Sequence, residues 1–346
     1  MDRVPIAPQR VDAPLTGSAI FLVLEVAGQE GAIDAVREAL ADLDGLVKTV
    51  GFRDLQARLS CVTGIGSRIW TDLTGRPQPA ELHPFREVVG TAHTAVSTPG
   101  DLLFHIRSER QDLCFELERL LLAALGSSVV VSDEVSGFRY FEARDLLGFV
   151  DGSANPVGPD LPASTLVGEE DPAFSGGSYV VVQKYLHSLP AWQALSTEEQ
   201  EEIIGHRKAD GVELDDAASG QKAHKTLTTI EDDQGEHDIL RDNMPFGRPG
   251  SAEFGTYFIG YTRQLWVIER MLERMFIGDP VGLHDRILDF STAQTGTIFF
   301  APPATMLAAL NQAPSASQDD QQPPAAAPDP SLGIGSLKES EPPRPD

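Results

Sequence analysis

Apolar residues recur along this chain in two registers, one short and continuous, the other spaced by three and four. Residues 19–26 form a dense apolar run with Ile20, Phe21, Val23 and Val26, the pattern of a buried strand. Residues 30–43 follow with Ile33, Val36, Leu40 and Leu43 at helical spacing. Residues 59–65 and 102–106 predict two further strands, and residues 111–125 an amphipathic helix with Leu113, Leu117, Leu120, Leu121 and Ala124 on one face. Residues 138–149 then read as strand.

The second half repeats this order. Residues 177–186 predict a strand rich in Tyr and Val. Ser196 and Glu199 have the spacing of a capping box, which opens a helix through Ile204. Residues 226–230 and 256–261 read as strands, and residues 264–276 as a helix carrying Leu265, Ile268, Met271, Leu272 and Met275. Two βαββαβ-like halves, residues 1–150 and 151–312, suggest an α+β fold of duplicated ferredoxin-like units with helices on one face of antiparallel sheets. Composition shifts abruptly near residue 312. Residues 313–330 hold five prolines among Ala, Ser, Gln and Asp and no large aliphatic residue, so they predict a disordered linker. Leu332, Ile334 and Leu337 then bring aliphatics back into a tail over residues 331–346.

Charge narrows the choice of partners. Fifty-two acidic against 27 basic residues give a formal charge of −25, which argues against nucleic acid or an anionic membrane. No apolar run approaches the length of a membrane span, and the first ten residues have no apolar core of a secretory signal. Two cysteines, Cys61 and Cys114, in no CxxC pair and no zinc-type cluster, fit a reducing cytoplasm. Cys114 falls within the helical residues 111–125 and reads as core.

The chemistry concentrates after the predicted strand, in Gly148-Phe149-Val150-Asp151-Gly152-Ser153-Ala154-Asn155-Pro156. Asp-Gly and Asn-Pro favour turns, so Asp151 is expected on a tight bend at a strand end, its carboxylate free to face a pocket. This nonapeptide resembles the GxxDG signature of the dye-decolorizing peroxidases, class B-like in form. His224, and Arg241-Asp242-Asn243-Met244-Pro245-Phe246-Gly247 seventeen residues beyond it, resemble the other two motifs of that family, in the same order. The likeness covers roughly residues 15–310. It implies a dimeric α+β barrel, haem b as cofactor, and hydrogen peroxide and an organic reductant as substrates.

Carried over residue by residue, the resemblance makes His224 the axial iron ligand among eight histidines. His83, His93, His105, His187, His206 and His237 lie in segments with no other such feature. Asp151 and Arg241 become the pair that moves the peroxide proton and stabilises the departing oxygen, with Asn243 orienting peroxide or water. Gly152 and Ser153 line the haem edge. Asp285 supports the axial imidazole, with Asp289 as the alternative. His206, Arg207 and Lys208 are candidates for salt bridges to haem propionates. Where the family often has threonine and glutamate after Asp-Gly, this chain has Ser153 and Ala154, which bears on access to the haem edge. An aspartate base, with a reference pKa near 4, implies turnover that is best at acidic pH.

The tail resembles the targeting peptide of cargo packed in encapsulin nanocompartments, in Ser331-Leu332-Gly333-Ile334-Gly335-Ser336-Leu337-Lys338. That likeness implies an encapsulin shell as partner, a cytoplasmic nanocompartment as location, and a homo-oligomer. Two other readings remain at this stage: a haem or porphyrin carrier, and an enzyme related to chlorite dismutases and coproporphyrin decarboxylases.

Overall fold

The computed structural model describes residues 7–312 apart from 218 and 234. The predicted linker and targeting tail, residues 313–346, lie outside the described residues.

Strand β1 (Ser18–Val26) is followed by helices α1 (Ala32–Ala41) and α2 (Leu43–Gly51), then β2 (Ser60–Ile65), β3 (Leu102–Ser108), α3 (Gln111–Leu125) and β4 (Val129–Phe138). These strands lie in the order β2-β3-β1-β4, the antiparallel arrangement of a ferredoxin-like unit. The second half builds the same unit. Its strands are β5 (Ser178–His187), β6 (Leu240–Arg241) with β7 (Met244–Arg248), β8 (Glu253–Thr262), and β9 (Ser291–Ala293) with β10 (Thr297–Ala301). β6 and β7 both pair with β8, which pairs with β5, and β5 with β10. Phe300 of β10 pairs with Ile65 of β2 and joins the two sheets into one. At the far ends, Gly137 of β4 lies so close to Met244 of β7 that a Cβ there would fall 2.5 Å from the methionine Cβ. The glycine lets the two edges of the barrel meet.

β1 shows why its sequence lacks polar alternation. Ile20, Leu22 and Leu24 pack beneath the helices, while Phe21 and Val23 point into the barrel with Leu103, Val180, Tyr257, Tyr261 and Phe299. Successive side chains face opposite sides of a strand, and here both sides are core.

Three predicted elements are placed differently. The strand expected over residues 138–149 is Val129–Phe138, and Phe138 ends it. Beyond it the chain makes a 3-10 turn at Phe141–Ala143 and a tight loop closed by Arg144 Nη1 on the carbonyl of Gly148. The helix expected over residues 30–43 breaks at Asp42 into α1 and α2. Residues 226–230, read as strand from their threonines, begin instead as a short helix, His224–Thr228. There Thr228 and Thr229 donate to the carbonyls of His224 and Lys225, at 3.0 and 2.9 Å. That back-bonding lets a β-branched run close a helical turn.

Candidate functional site

The loop that carries Asp151 is built by its own backbone. Asp145 Oδ1 accepts from the Phe149 amide at 2.9 Å, and the Asp151 amide donates to Ala143 at 2.9 Å. Gly152 has φ +76°, a left-handed value that side chains disfavour, and so turns the chain immediately after the aspartate. Asp151 is left half-buried, with Ser153 and Ala154 exposed beside it.

Arg241, Asp242 and Asn243 run as extended chain, and alternation sends them to opposite sides. Asp242 is buried and accepts from Arg107 Nη1 at 2.8 Å. Asn243 donates from Nδ2 to Asp151 Oδ2 at 3.0 Å and accepts the Ile259 amide on Oδ1 at 3.0 Å. Arg241 is gripped through its backbone: Asn155 Nδ2 donates to the Arg241 carbonyl at 2.7 Å, and the Arg241 amide donates to Asn155 Oδ1 at 2.9 Å. Asn155 therefore ties the Asp151 loop to the arginine. Sequence reasoning read it only as a turn former, although it lies within the nonapeptide. The Nε of Arg241 is buried with no hydrogen-bond partner among the described residues.

His224 is set by a residue 61 positions away. Its Nδ1 lies 2.6 Å from Asp285 Oδ2. The carboxylate can only accept, so Nδ1 carries a proton, and in the neutral ring the lone pair is then on Nε2. Asp285 is fully buried, and its other oxygen accepts the Ile287 amide at 3.1 Å. Asp289, the alternative partner, instead meets His93 and His284.

His224, Asp151, Gly152, Ser153, Arg241 and Asn243 all line one cavity of about 660 Å³, whose apolar wall includes Phe258, Met271, Leu272 and Met275. Asp285 stands behind that wall, reaching the cavity through His224. Two other histidines along the wall are otherwise engaged. Both nitrogens of His187 are bonded, to Ser291 and Thr256, and burial depresses it to about 4. His237 faces Asp232 at 2.8 Å. His206 also lines the cavity, and burial lowers its pKa. Its neighbours do not join it: Lys208 bonds Gln200, and Arg207 is exposed near Asp210. The sequence did not point to Asp145, which lines the cavity. Burial pushes its carboxyl up to about 7, against the Phe149 amide and with the charge of Asp151 adding to the rise.

The donor set suits haem. A roomy cavity with one apolar wall accepts a flat macrocycle, one imidazole is backed by a buried carboxylate, and among the described residues a buried guanidinium nitrogen lacks a partner. The volume is in the range usual for cofactor pockets.

Comparison with known proteins bears on the same region. Family models described as "Dyp-type peroxidase, N-terminal" and "Dyp-type peroxidase, C-terminal" match residues 8–139 and 142–306. A dye-decolorizing peroxidase of Mycolicibacterium paratuberculosis is 53% identical over 343 residues, 96% of this chain and 93% of its own length. DyPB from Rhodococcus jostii RHA1 is 54% identical at TM-score 0.85, over 88% of this chain and 98% of that one. A variant of the Rhodococcus protein, at TM-score 0.84, is solved in complex with heme. The encapsulated DyP-type peroxidase from Mycobacterium smegmatis, seen by cryo-EM, is 53% identical at TM-score 0.85, over 88% of this chain and 98% of that one.

Proposed function

The chain belongs to the Dyp-type peroxidase family and is a haem peroxidase that uses hydrogen peroxide, and on that premise we propose how its cavity divides the work. Haem, held there by His224, would supply the redox chemistry by which peroxide oxidises a reductant one electron at a time.

His224 is the protein ligand, through Nε2. Asp285 holds the proton on the other nitrogen and so fixes ring orientation and makes the imidazole more electron-rich. Asp151 accepts a proton from hydrogen peroxide and returns it to the departing oxygen as water forms. The Arg241 guanidinium stabilises negative charge on that oxygen. Asn243 fixes the Asp151 carboxylate through its 3.0 Å hydrogen bond. Asn155 positions Arg241. The half-buried setting of Asp151 leaves Gly152 and Ser153 at the haem edge. We place the division between the two ferredoxin-like halves near residue 150, so that the C-terminal half supplies His224, Arg241 and Asp285.

The observation that carries this reading is the 2.6 Å contact of His224 Nδ1 with the wholly buried Asp285. The absorption spectrum of the hemin-reconstituted protein tests it. Wild type gives the spectrum of an imidazole-ligated haem protein and His224→Ala loses it. Retention of an unchanged spectrum by His224→Ala refutes the assignment.

The reductants are bulky phenolic or dye-like molecules, a class supported by the names of the relatives. The chain is cargo of an encapsulin shell in the cytoplasm, attached through residues 331–338 and present as a homo-oligomer. Support comes from the likeness of that segment to cargo peptides and from the encapsulated Mycobacterium smegmatis relative. Among the described residues no helix is long and apolar enough to cross a membrane. Removal of residues 331–346 leaves peroxidase turnover intact and abolishes co-purification with shell protein; normal co-purification of the truncated chain rules the attachment out.

A further inference from the structure

We propose that His93, His284 and Asp289 form a binding site for a divalent transition-metal ion, distinct from the haem cavity. None of the three lines that cavity. The sequence shows no metal-ligand spacing here, because His93 and Asp289 are 196 residues apart. His93 lies in the turn between the short strands Val88–Val89 and Thr94–Ala95, in the N-terminal half. His284 and Asp289 flank Asp285 in the C-terminal half.

The fold brings their ligand atoms together. His93 Nε2 and His284 Nε2 each lie 3.0 Å from the same oxygen, Asp289 Oδ1. All three ligand atoms fall within 4.8 Å of one another. The two rings stand edge to face at 71°, with centroids 4.8 Å apart, so they approach the carboxylate without stacking on each other. Metal–nitrogen and metal–oxygen bonds of roughly 2.0–2.2 Å turn a 3.0 Å separation into an angle of about 90° at the ion, the cis angle of an octahedron. Two imidazoles and one carboxylate form a donor set suited to first-row divalent ions, with the remaining positions left for water. The side chains are 20–41% exposed, which leaves a path for the ion and room for that water. Ligation draws the two rings inward about the shared oxygen, and partial exposure leaves them room to move.

The ion ties the turn of one half to the segment of the other that carries Asp285. Because the ligands converge only in the folded chain, binding raises thermal stability.

The test uses the full-length, haem-loaded, tag-free protein, stripped with chelator and titrated calorimetrically with zinc, with bound metal counted after dialysis. Wild type takes up one equivalent more than His93→Gln, His284→Gln or Asp289→Asn, affinity at this site falls more than about 100-fold in each, and zinc raises Tm only in wild type. Zinc held elsewhere is common to all four proteins and cancels in the comparison. Equal uptake and equal Tm shifts in wild type and His93→Gln overturn the proposal, as does failure of wild type to bind zinc at about 0.1 mM. Should His284→Gln or Asp289→Asn not fold, His93→Gln, in the turn between two short strands, decides alone.

Discussion

Replacement of Asp285 by asparagine removes one buried charge from behind the imidazole proposed to hold haem. Asparagine keeps the shape but has one carbonyl oxygen where the carboxylate has two, so that oxygen still accepts the His224 Nδ1 proton while the NH2 group takes the place that accepts the Ile287 amide. At His224 only the charge of the acceptor is lost; the acceptor for the Ile287 amide is lost with it. A charge-assisted hydrogen bond is worth about 1.5–3 kcal/mol and a neutral one roughly half that, so the change removes about 1–1.5 kcal/mol. If the ferric state bears the whole loss, about 1.36 kcal/mol per tenfold and 59 mV per tenfold for one electron give a rise in reduction potential of about 45–65 mV. The sign follows because a less electron-rich imidazole stabilises the oxidised metal less. Loss of haem to a scavenging apoprotein accelerates by up to about tenfold on the same energy. Spectroelectrochemical titration and haem-transfer kinetics measure the two. Asp289→Asn is the control, since Asp289 bonds His93 and His284 and not His224. An unchanged potential and unchanged haem loss in Asp285→Asn, or an equal change in Asp289→Asn, would refute the assignment.

Asn155→Ala removes both hydrogen bonds to the Arg241 backbone; displacement of the guanidinium by a fraction of an ångström to 1 Å lowers kcat/KM for peroxide by about ten- to a hundredfold while haem content holds, measured by steady-state kinetics on haem-normalised enzyme. Asp145, lifted by burial to about 7 against about 4 when unfolded, keeps a proton in the folded state that the unfolded chain gives up in that interval. The stability it contributes is complete below about pH 4 and is lost as pH rises through 7. Asp145→Asn therefore flattens the fall in urea midpoint between pH 4.5 and 8, relative to wild type.

Much of the fold was legible because apolar periodicity is a local property. β1, β2, β3, α3, β5, β8 and the helix Leu265–Phe276 fall where continuous apolar runs or 3.6-residue patterns put them. Misplacements came where context overrode local preference. The threonines at 226, 228 and 229 favour strand in isolation, yet the hydroxyls of Thr228 and Thr229 bond the carbonyls of His224 and Lys225, and that of Thr226 donates to Asp216 Oδ1. Residues 138–149 are apolar enough for a strand, but Arg144 and Asp145 spend their hydrogen bonds closing a loop on itself.

The sequence by itself determined the order of the motifs, the turn at Asp151-Gly152, the family likeness and the residue types that haem chemistry requires, since each is carried by neighbours in the chain. Tertiary structure alone decided which groups meet. It chose Asp285 over Asp289 for His224, joined Asn155 to Arg241 across 86 residues, and gathered His93, His284 and Asp289 around one oxygen. These pairings depend on how two ferredoxin-like units close into one barrel, and a hydrogen bond is felt over a few ångströms of space regardless of distance along the chain.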